Sequence, residues 1–427
     1  MTDASPLIPT PGQLAWQREH QLALFCHFGI NTFHGREWSD GSLPASSFAP
    51  TDLDARDWAE AAREAGAAHL ILTAKHHDGF CLWPTETTDY SVRSSPWKDG
   101  HGDVVAEAAE ACRDAGIGFG VYLSPWDRHE ATWATDHAAY DALYIRQLTE
   151  LCTRYGELFE IWFDGAGSER HSYEWDTIME TVARYQPQAM VFNMGRPTIR
   201  WVGNEDGLAA DPCWYTVDAT HRSIYDAGAD SMPEGTAYLP PECDVAIRRH
   251  WFWHEDDLAT LKSRQHLEAI WYQSVGLGAN LLLNVPPDRR GRLDPHDRAR
   301  LIEFGGGIRE RLATPLPGAI AQDGRRFTIR FGNSVTFDHL WLEEAIEFGQ
   351  RVRQHRVLLP DGTAVVEGVH TIGSQRVHAF PRVTTDRLVI EVDDPAARLS
   401  SVAAHRTGVN SAPELEPQAE FDRAKVR

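Results

Sequence analysis

From Leu22 to Val285 one unit recurs: a short apolar run, a polar or aromatic residue where the run ends, then an amphipathic stretch with helical spacing. "LALFCHFGI" (Leu22 to Ile30) is followed by "DARDWAEAAREAG" (Asp54 to Gly66), whose acidic start and final glycine mark helix ends. "HLILTAK" (His69 to Lys75) precedes "DVVAEAAEACRDAG" (Asp103 to Gly116), and "GFGVYLS" (Gly118 to Ser124) precedes "YDALYIRQLTELCTRYG" (Tyr140 to Gly156). "FEIWFDG" (Phe159 to Gly165), a weaker helix over 173–185, "AMVFN" (Ala189 to Asn193) and a helix leading into "ANLLLNV" (Ala279 to Val285) continue the series. Apolar strands alternating with helices demand a parallel sheet covered by helices, and over roughly 300 residues they predict a (β/α)₈-like TIM barrel. Gly203 to His254 breaks the rhythm and is rich in Trp, Pro and acid, so it is expected to form long loops over the barrel mouth, leaving strands six and seven unplaced.

Past about Gly307 the pattern changes to short alternating runs such as "RRFTIRFG" and "DRLVIEVDD", separated by Gly, Asp and Pro. These predict an antiparallel β-sandwich. The expected division is a catalytic barrel over 1–306, the sandwich over 307–408 and a polar tail over 409–427.

Charge and composition narrow the functions. A formal net charge of −21 with no basic block argues against nucleic acid and anionic membrane as partners. No run of about 18 apolar residues occurs, and the opening residues lack a basic region followed by an apolar core, so the expected location is cytoplasmic. The six cysteines are scattered with no CxxC pair, which predicts free thiols.

In a parallel barrel the active site is built at the C-terminal strand ends. His27 ends the first strand, Lys75 to Asp78 the second, Tyr122 and Ser124 the third, Asp164 the fourth and Asn193 the fifth. Any one of them could be a satisfied structural group, yet five converge on one rim. Adjacent strand residues face opposite ways, so His76 and His77 do not readily share an ion unless the backbone turns there, and the HxH pattern of zinc barrels is missing. Two imidazoles at such a point suit the neighbouring hydroxyls of a polyol. In "EIWFDGAG" Asp164 sits between aromatic residues and glycines; it could cap a helix, or serve as one of the two carboxyl groups a glycosidase needs. Glu205 in "RWVGNEDG" and Glu242 in "PPECDVAIRRHWFWH" are candidates for the second, or else exposed or ion-paired loop acids.

Together, "HFG" at His27, "EW" at Glu37 and Trp38, "KHHDGF" at Lys75, "GVYLS" at Gly120, "WFDG" at Trp162 and "NLLLNVPPDRRGRL" at Asn280 resemble the α-L-fucosidases of glycoside hydrolase family 29. The resemblance implies a catalytic barrel followed by a β-sandwich, a retaining mechanism with Asp164 as nucleophile, and no catalytic metal or other cofactor. It implies that His27, Glu37, Trp38, His76, His77, Tyr122 and Trp162 bind the fucose ring of a fucosylated oligosaccharide or glycoconjugate. "RWVGNEDG" is similar to the branch that cleaves α-1,3 and α-1,4 fucosyl linkages, where the Glu of "GNE" is the acid/base, here Glu205; Glu242 is then expected among the substrate-binding residues. Where that branch often reads "SIRPGWF" this chain has "AIRRHWF", departing at Ala246, Arg249 and His250. A metal-dependent hydrolase on the same barrel, or a silent fucose-binding protein, are the rival readings. The first lacks its HxH and the second would lack one of the two carboxyl groups.

Overall fold

A computed structural model of the chain describes residues 6–218, 232 and 235–417; the last ten residues of the expected tail lie outside the described residues. The barrel strands are β1 (Leu22–Cys26), β2 (His69–Lys75), β3 (Gly118–Leu123), β4 (Glu160–Trp162), β5 (Met190–Phe192) and β6 (Arg200–Trp201). A small antiparallel hairpin follows, β7 (Thr216–Val217) with β8 (Ala237–Tyr238), and then β9 (Pro241–Ala246) and β10 (Asn280–Asn284) complete the barrel. The barrel order is β5-β4-β3-β2-β1-β10-β9-β6, parallel throughout. A single parallel bridge, Phe192 to Ile199, draws β5 toward the start of β6 and nearly closes the ring.

Helices cover the outside of the strands. Ala55–Ala65 is capped by Asp54, whose side chain accepts from the Arg56 amide, and ends on left-handed Gly66; Val104–Ala115 is capped in the same way by Asp103 and Gly116. His137–Arg154, Trp175–Tyr185, Arg264–Gln273 and Pro295–Leu312 follow β3, β4, β9 and β10. Among the described residues neither the β5–β6 nor the β6–β9 connection contains a helix, so the barrel is (β/α)₈-like rather than regular. None of the helices among the described residues is long and apolar enough to cross a membrane. All six cysteines are buried and unpaired.

The glycine run Gly305 to Gly307 lies inside the last barrel helix. A Cβ on Gly305 would come within 1.9 Å of the Ala65 carbonyl oxygen, so the glycine lets two helices pack backbone to backbone. That helix continues to Leu312, and the second sheet begins at Leu316.

Seven antiparallel strands follow, β11 (Leu316–Pro317), β12 (Ala319–Asp323), β13 (Arg326–Glu344), β14 (His355–Leu358), β15 (Ala364–Val369), β16 (Arg376–Val392) and β17 (Leu399–His405). The long β13 and β16 pair with two breaks in register, between Arg330 and Val335 and between Phe337 and His339. The network bends there and folds over a core that includes Phe327, Phe337, Leu340, Phe380 and Ile390. It docks on the barrel through a bidentate ion pair of Arg376 with Asp211 (3.0 and 2.8 Å) and a Tyr272–His339 hydrogen bond of 2.8 Å.

Candidate active site

The chain turns as soon as β2 ends, with the Gly79 amide donating back to the His76 carbonyl. Gly79 has φ +85°, and a Cβ there would come within 2.3 Å of Asp127 Oδ1, so only glycine fits. The turn defeats the alternation expected of adjacent residues and brings both imidazoles to one place, their centroids 4.2 Å apart. Lys75, still in the strand, points the other way. Its Nζ is fully buried against Asp127 and Gln147, both at 3.0 Å, where it ties the turn to the helix layer.

Around the paired histidines stand the ends of the neighbouring strands. His76 lies nearly parallel to the Tyr122 ring (5.5 Å, 12°), and His27 approaches His76 edge-on at 5.7 Å. The exposed Trp38 meets His77 edge-on at 5.2 Å and Trp126 at 5.6 Å. Trp162 forms the floor, stacked on Phe192 at 3.8 Å and 8°.

Asp164 stands at the end of β4 with its side chain 19% exposed. Oδ1 accepts from the Ala166 amide at 2.8 Å and Oδ2 from the Tyr122 hydroxyl at 3.0 Å. Burial, reinforced by the charge of Asp164, holds the Tyr122 phenol well above its ordinary pKa, so it remains a donor. His77 Nε2 lies 3.6 Å from the same Oδ2.

The hydrogen-bond network fixes two tautomers. The Ser124 hydroxyl donates to the Trp126 carbonyl at 2.6 Å, so at 2.7 Å from His77 Nδ1 it can only accept. His77 therefore carries its proton on Nδ1 and offers Nε2 as a bare acceptor beside Asp164. Asn284 donates through Nδ2 to the Trp251 carbonyl at 2.8 Å, which aims its Oδ1 at the His27 amide (3.2 Å) and at His27 Nδ1 (2.9 Å). His27 thus also keeps Nδ1 protonated and Nε2 free. Burial keeps both rings neutral. It lowers His27 to about 3, and lowers His77 to about 4 even with Asp164 pulling upward. Burial drives His76 down as well, and its Nδ1 is buried without a partner.

The remaining predicted residues are held differently. Glu37 gives one oxygen to the Trp251 amide (2.8 Å), while the other faces the Phe252 amide (3.3 Å) and His254 Nε2 (3.2 Å), so it anchors the loop after β9. Glu205 is exposed on the loop after β6. Glu242 is 1% exposed beneath Trp162, accepting its indole N–H at 2.9 Å. There it hydrogen-bonds Glu160, and burial raises both carboxyls, Glu160 to about 8. One residue absent from the sequence expectations is Asp244, two positions along β9 from Glu242 and on the same face. It accepts the Trp201 indole N–H at 2.6 Å; burial, then the nearby charge of Glu205, pushes it well above the usual carboxylate range.

A barrel mouth with one held carboxylate, two fixed imidazole acceptors and a rim tryptophan is equipped for a polyhydroxylated ring. The sequence profile described as Alpha-L-fucosidase matches residues 34–309. The chain belongs to the α-L-fucosidase family. It is thus a glycoside hydrolase. This fucosidase is 38% identical to Alpha-L-fucosidase 1 of Arabidopsis thaliana, over 92% of its own length and 86% of the relative's. It superposes with a TM-score of 0.86 on the crystal structure of a glycoside hydrolase 29 family member from an unknown rumen bacterium, at 33% identity, covering 99% of this fucosidase and 80% of that chain. A Ruminococcus gnavus GH29 fucosidase in complex with fucose is similar at a TM-score of 0.84 and 29% identity, with 95% and 97% covered.

Proposed function

We propose that this α-L-fucosidase is a retaining exo-enzyme that removes terminal α-1,3/1,4-linked fucose, with Asp164 as nucleophile and Glu205 as acid/base. The way Asp164 is held carries the reading: two donors, Tyr122 O–H and Ala166 N–H, orient a partly open carboxylate at a strand end. In the first step Asp164 attacks the anomeric carbon as the glycosidic C–O bond breaks, and Glu205 gives its proton to the departing oxygen. A covalent fucosyl ester results. Water then attacks the same carbon, losing its proton to Glu205, and fucose leaves with its α configuration. This route needs the two carboxyls about 5 to 5.5 Å apart in the complex.

The bare Nε2 atoms of His27 and His77 accept ring hydroxyl protons, and a hydroxyl donating at His77 fills the gap between Nε2 and Asp164. His76, Tyr122 and Glu37 complete the polar contacts, while Trp38 packs on the sugar from the rim. Trp162 supports the ring from below, and Glu242 acts through Trp162. The "GNE" run around Glu205 supports the linkage preference.

Azide rescue tests the assignment. Asp164→Gly with an activated aryl α-fucoside and azide is expected to yield β-fucosyl azide, because only direct attack remains. Glu205→Ala is expected to accumulate the fucosyl-enzyme and release α-fucosyl azide. If Glu242→Ala gives α-fucosyl azide while Glu205→Ala does not respond, the acid/base is Glu242.

A further inference from the structure

Beside the sugar site, and sharing Glu37 with it, lies a second cluster whose two histidines have no role in the proposed chemistry. Glu37, His250 and His254 each direct one ligand atom into a common space, all within 4.8 Å of one another. The two imidazoles stack at 3.8 Å and 20°, so the His254 ring has to rotate out of the stack for both lone pairs to meet one ion, and the side chains are 20% and 19% exposed at the barrel mouth, which leaves room for that turn. His250 Nδ1 is 3.1 Å from Asp257 Oδ2, and the other oxygen of Asp257 accepts from the buried Arg248 at 3.0 Å. With Nδ1 donating to a carboxylate, His250 presents Nε2 as a lone pair. A carboxylate behind a ligating imidazole is the usual support of a zinc ligand. Glu37 Oε1 and His254 Nε2 are separated by 3.2 Å, the spacing of two ligands about 2.0 to 2.1 Å from one tetrahedral ion. Glu37 is in turn oriented by the Trp251 amide on its second oxygen, while Oε1, which also faces the Phe252 amide at 3.3 Å, keeps a second lone pair for an ion.

We propose that Glu37, His250 and His254 form a three-ligand site for a borderline divalent transition ion such as Zn²⁺, with Asp257 supporting His250 and a fourth position open to solvent. The ion takes no part in hydrolysis. Because it engages Glu37, it and the sugar exclude each other; this second statement rests on the reading of Glu37 as a sugar contact. Two imidazoles and one carboxylate favour such an ion over Mg²⁺ or Ca²⁺, which take oxygen ligands.

Titration of the metal-free full chain with Co²⁺, read by the visible absorption of tetrahedral cobalt, and with Zn²⁺ by calorimetry, tests the site without any activity measurement. The expected result is about one equivalent bound, lost in His250→Gln and in His254→Gln and kept in His101→Gln, a surface histidine. Circular dichroism and the unfolding midpoint establish that each variant is folded. If one is not, the other decides, and Asp257→Asn should weaken binding about 10- to 100-fold. No saturable binding, or binding unchanged in the folded His250 and His254 variants, overturns the site. In wild type Zn²⁺ should raise the KM of an aryl fucoside without lowering kcat. Binding without inhibition keeps the site and overturns the role of Glu37. A chain without fucosidase activity that still binds cobalt in this pattern overturns the proposed assignment of the catalytic residues and leaves the metal site standing.

Discussion

The Glu242 carboxyl and the Trp162 indole are joined by a 2.9 Å hydrogen bond inside the barrel, so the orientation of the indole ring is set from beneath. Glu242 is driven toward its neutral form by burial and by Glu160 beside it. Glu242→Gln reproduces the neutral acceptor in the same volume and should keep kcat/KM within a few-fold of wild type, roughly the scale of one retained hydrogen bond. Glu242→Ala leaves the Trp162 indole N–H unpaired, removes one partner of Glu160, which keeps only the Trp16 indole and His69 beside it, and opens a cavity, a loss of about 2 to 4 kcal/mol in stability with weaker fucose binding. Chemical denaturation and the inhibition constant of L-fucose read the two effects. A Gln variant as impaired as the Ala variant would show that Glu242 works as a charge.

Asn284 is expected to act as a positioning residue, through the proton it keeps on His27 Nδ1. Asn284→Ala frees the ring to change tautomer and should lower kcat/KM for an aryl α-fucoside by on the order of tenfold to a hundredfold, matching about 1 to 3 kcal/mol for an unpaired buried group. The imidazole ¹⁵N shifts of His27 supply the readout that a merely structural role would not move. They should report a protonated Nδ1 in wild type and a mixture in the variant.

The lowered pKa values carry a pH prediction with a definite sign. His27 at about 3 and His77 at about 4 stay neutral well below the ordinary histidine range. Binding of L-fucose should therefore show no histidine-like inflection between about pH 5 and 7; an apparent pKa near 6.5 would contradict the neutral acceptors. For stability, the unfolded chain takes up these protons first as pH falls through the ordinary value. The neutral histidines thus favour the folded state fully above that value and progressively less down to their folded pKa. Buried Asp78, raised to about 7, and Glu160, raised to about 8, work in the opposite sense, so the contribution of His27 must be isolated as a difference. Wild type should lose stability relative to His27→Gln on going from about pH 7 to 4.5, by up to about 1.4 kcal/mol per pH unit.

Lewis-type trisaccharides with α-1,3 or α-1,4 fucose should be cleaved much faster than 2'-fucosyllactose. The neighbouring sugar supplies binding energy that is realised in the transition state. Hydrolysis should survive exhaustive EDTA treatment. Preference for the α-1,2 linkage, or activity restored only by added zinc, would count against the reading.

The parts of the barrel legible in the sequence are those whose strands bury apolar faces on both sides. β1 to β5 and β10 announce themselves this way, and the Asp54 and Asp103 caps mark their helices. β6 and β9 do not. β6 has two residues, and β9 carries Glu242 and Asp244 pointing inward, so a strand looks like an acidic loop. The same inversion hid Asp244, and it hid that Glu242 is buried against the Trp162 indole. Asn284 ends an apolar strand just as His27 does and was open to the same rule; its role as a tautomer clamp depends on Trp251, which no local pattern reveals. The join of His76 and His77 turned on a backbone bend that Gly79 permits.

The ring is stitched unevenly. Asp164, His27, His76, His77 and Tyr122 stand on or just past strands that are laddered on both sides, with one break in register on β2 between Thr73 and Lys75, whereas the seam between β5 and β6 rests on one bridge, and the Glu205 loop leaves from there. The proposed fucose contacts and the proposed nucleophile thus belong to the fully laddered arc, and the proposed proton donor lies beside the sparsely bridged one. On the proposed assignment, changes in the leaving sugar are accommodated at the seam while the grip on fucose stays the same, which makes this edge of the barrel the place where new linkage preferences can arise by small insertions.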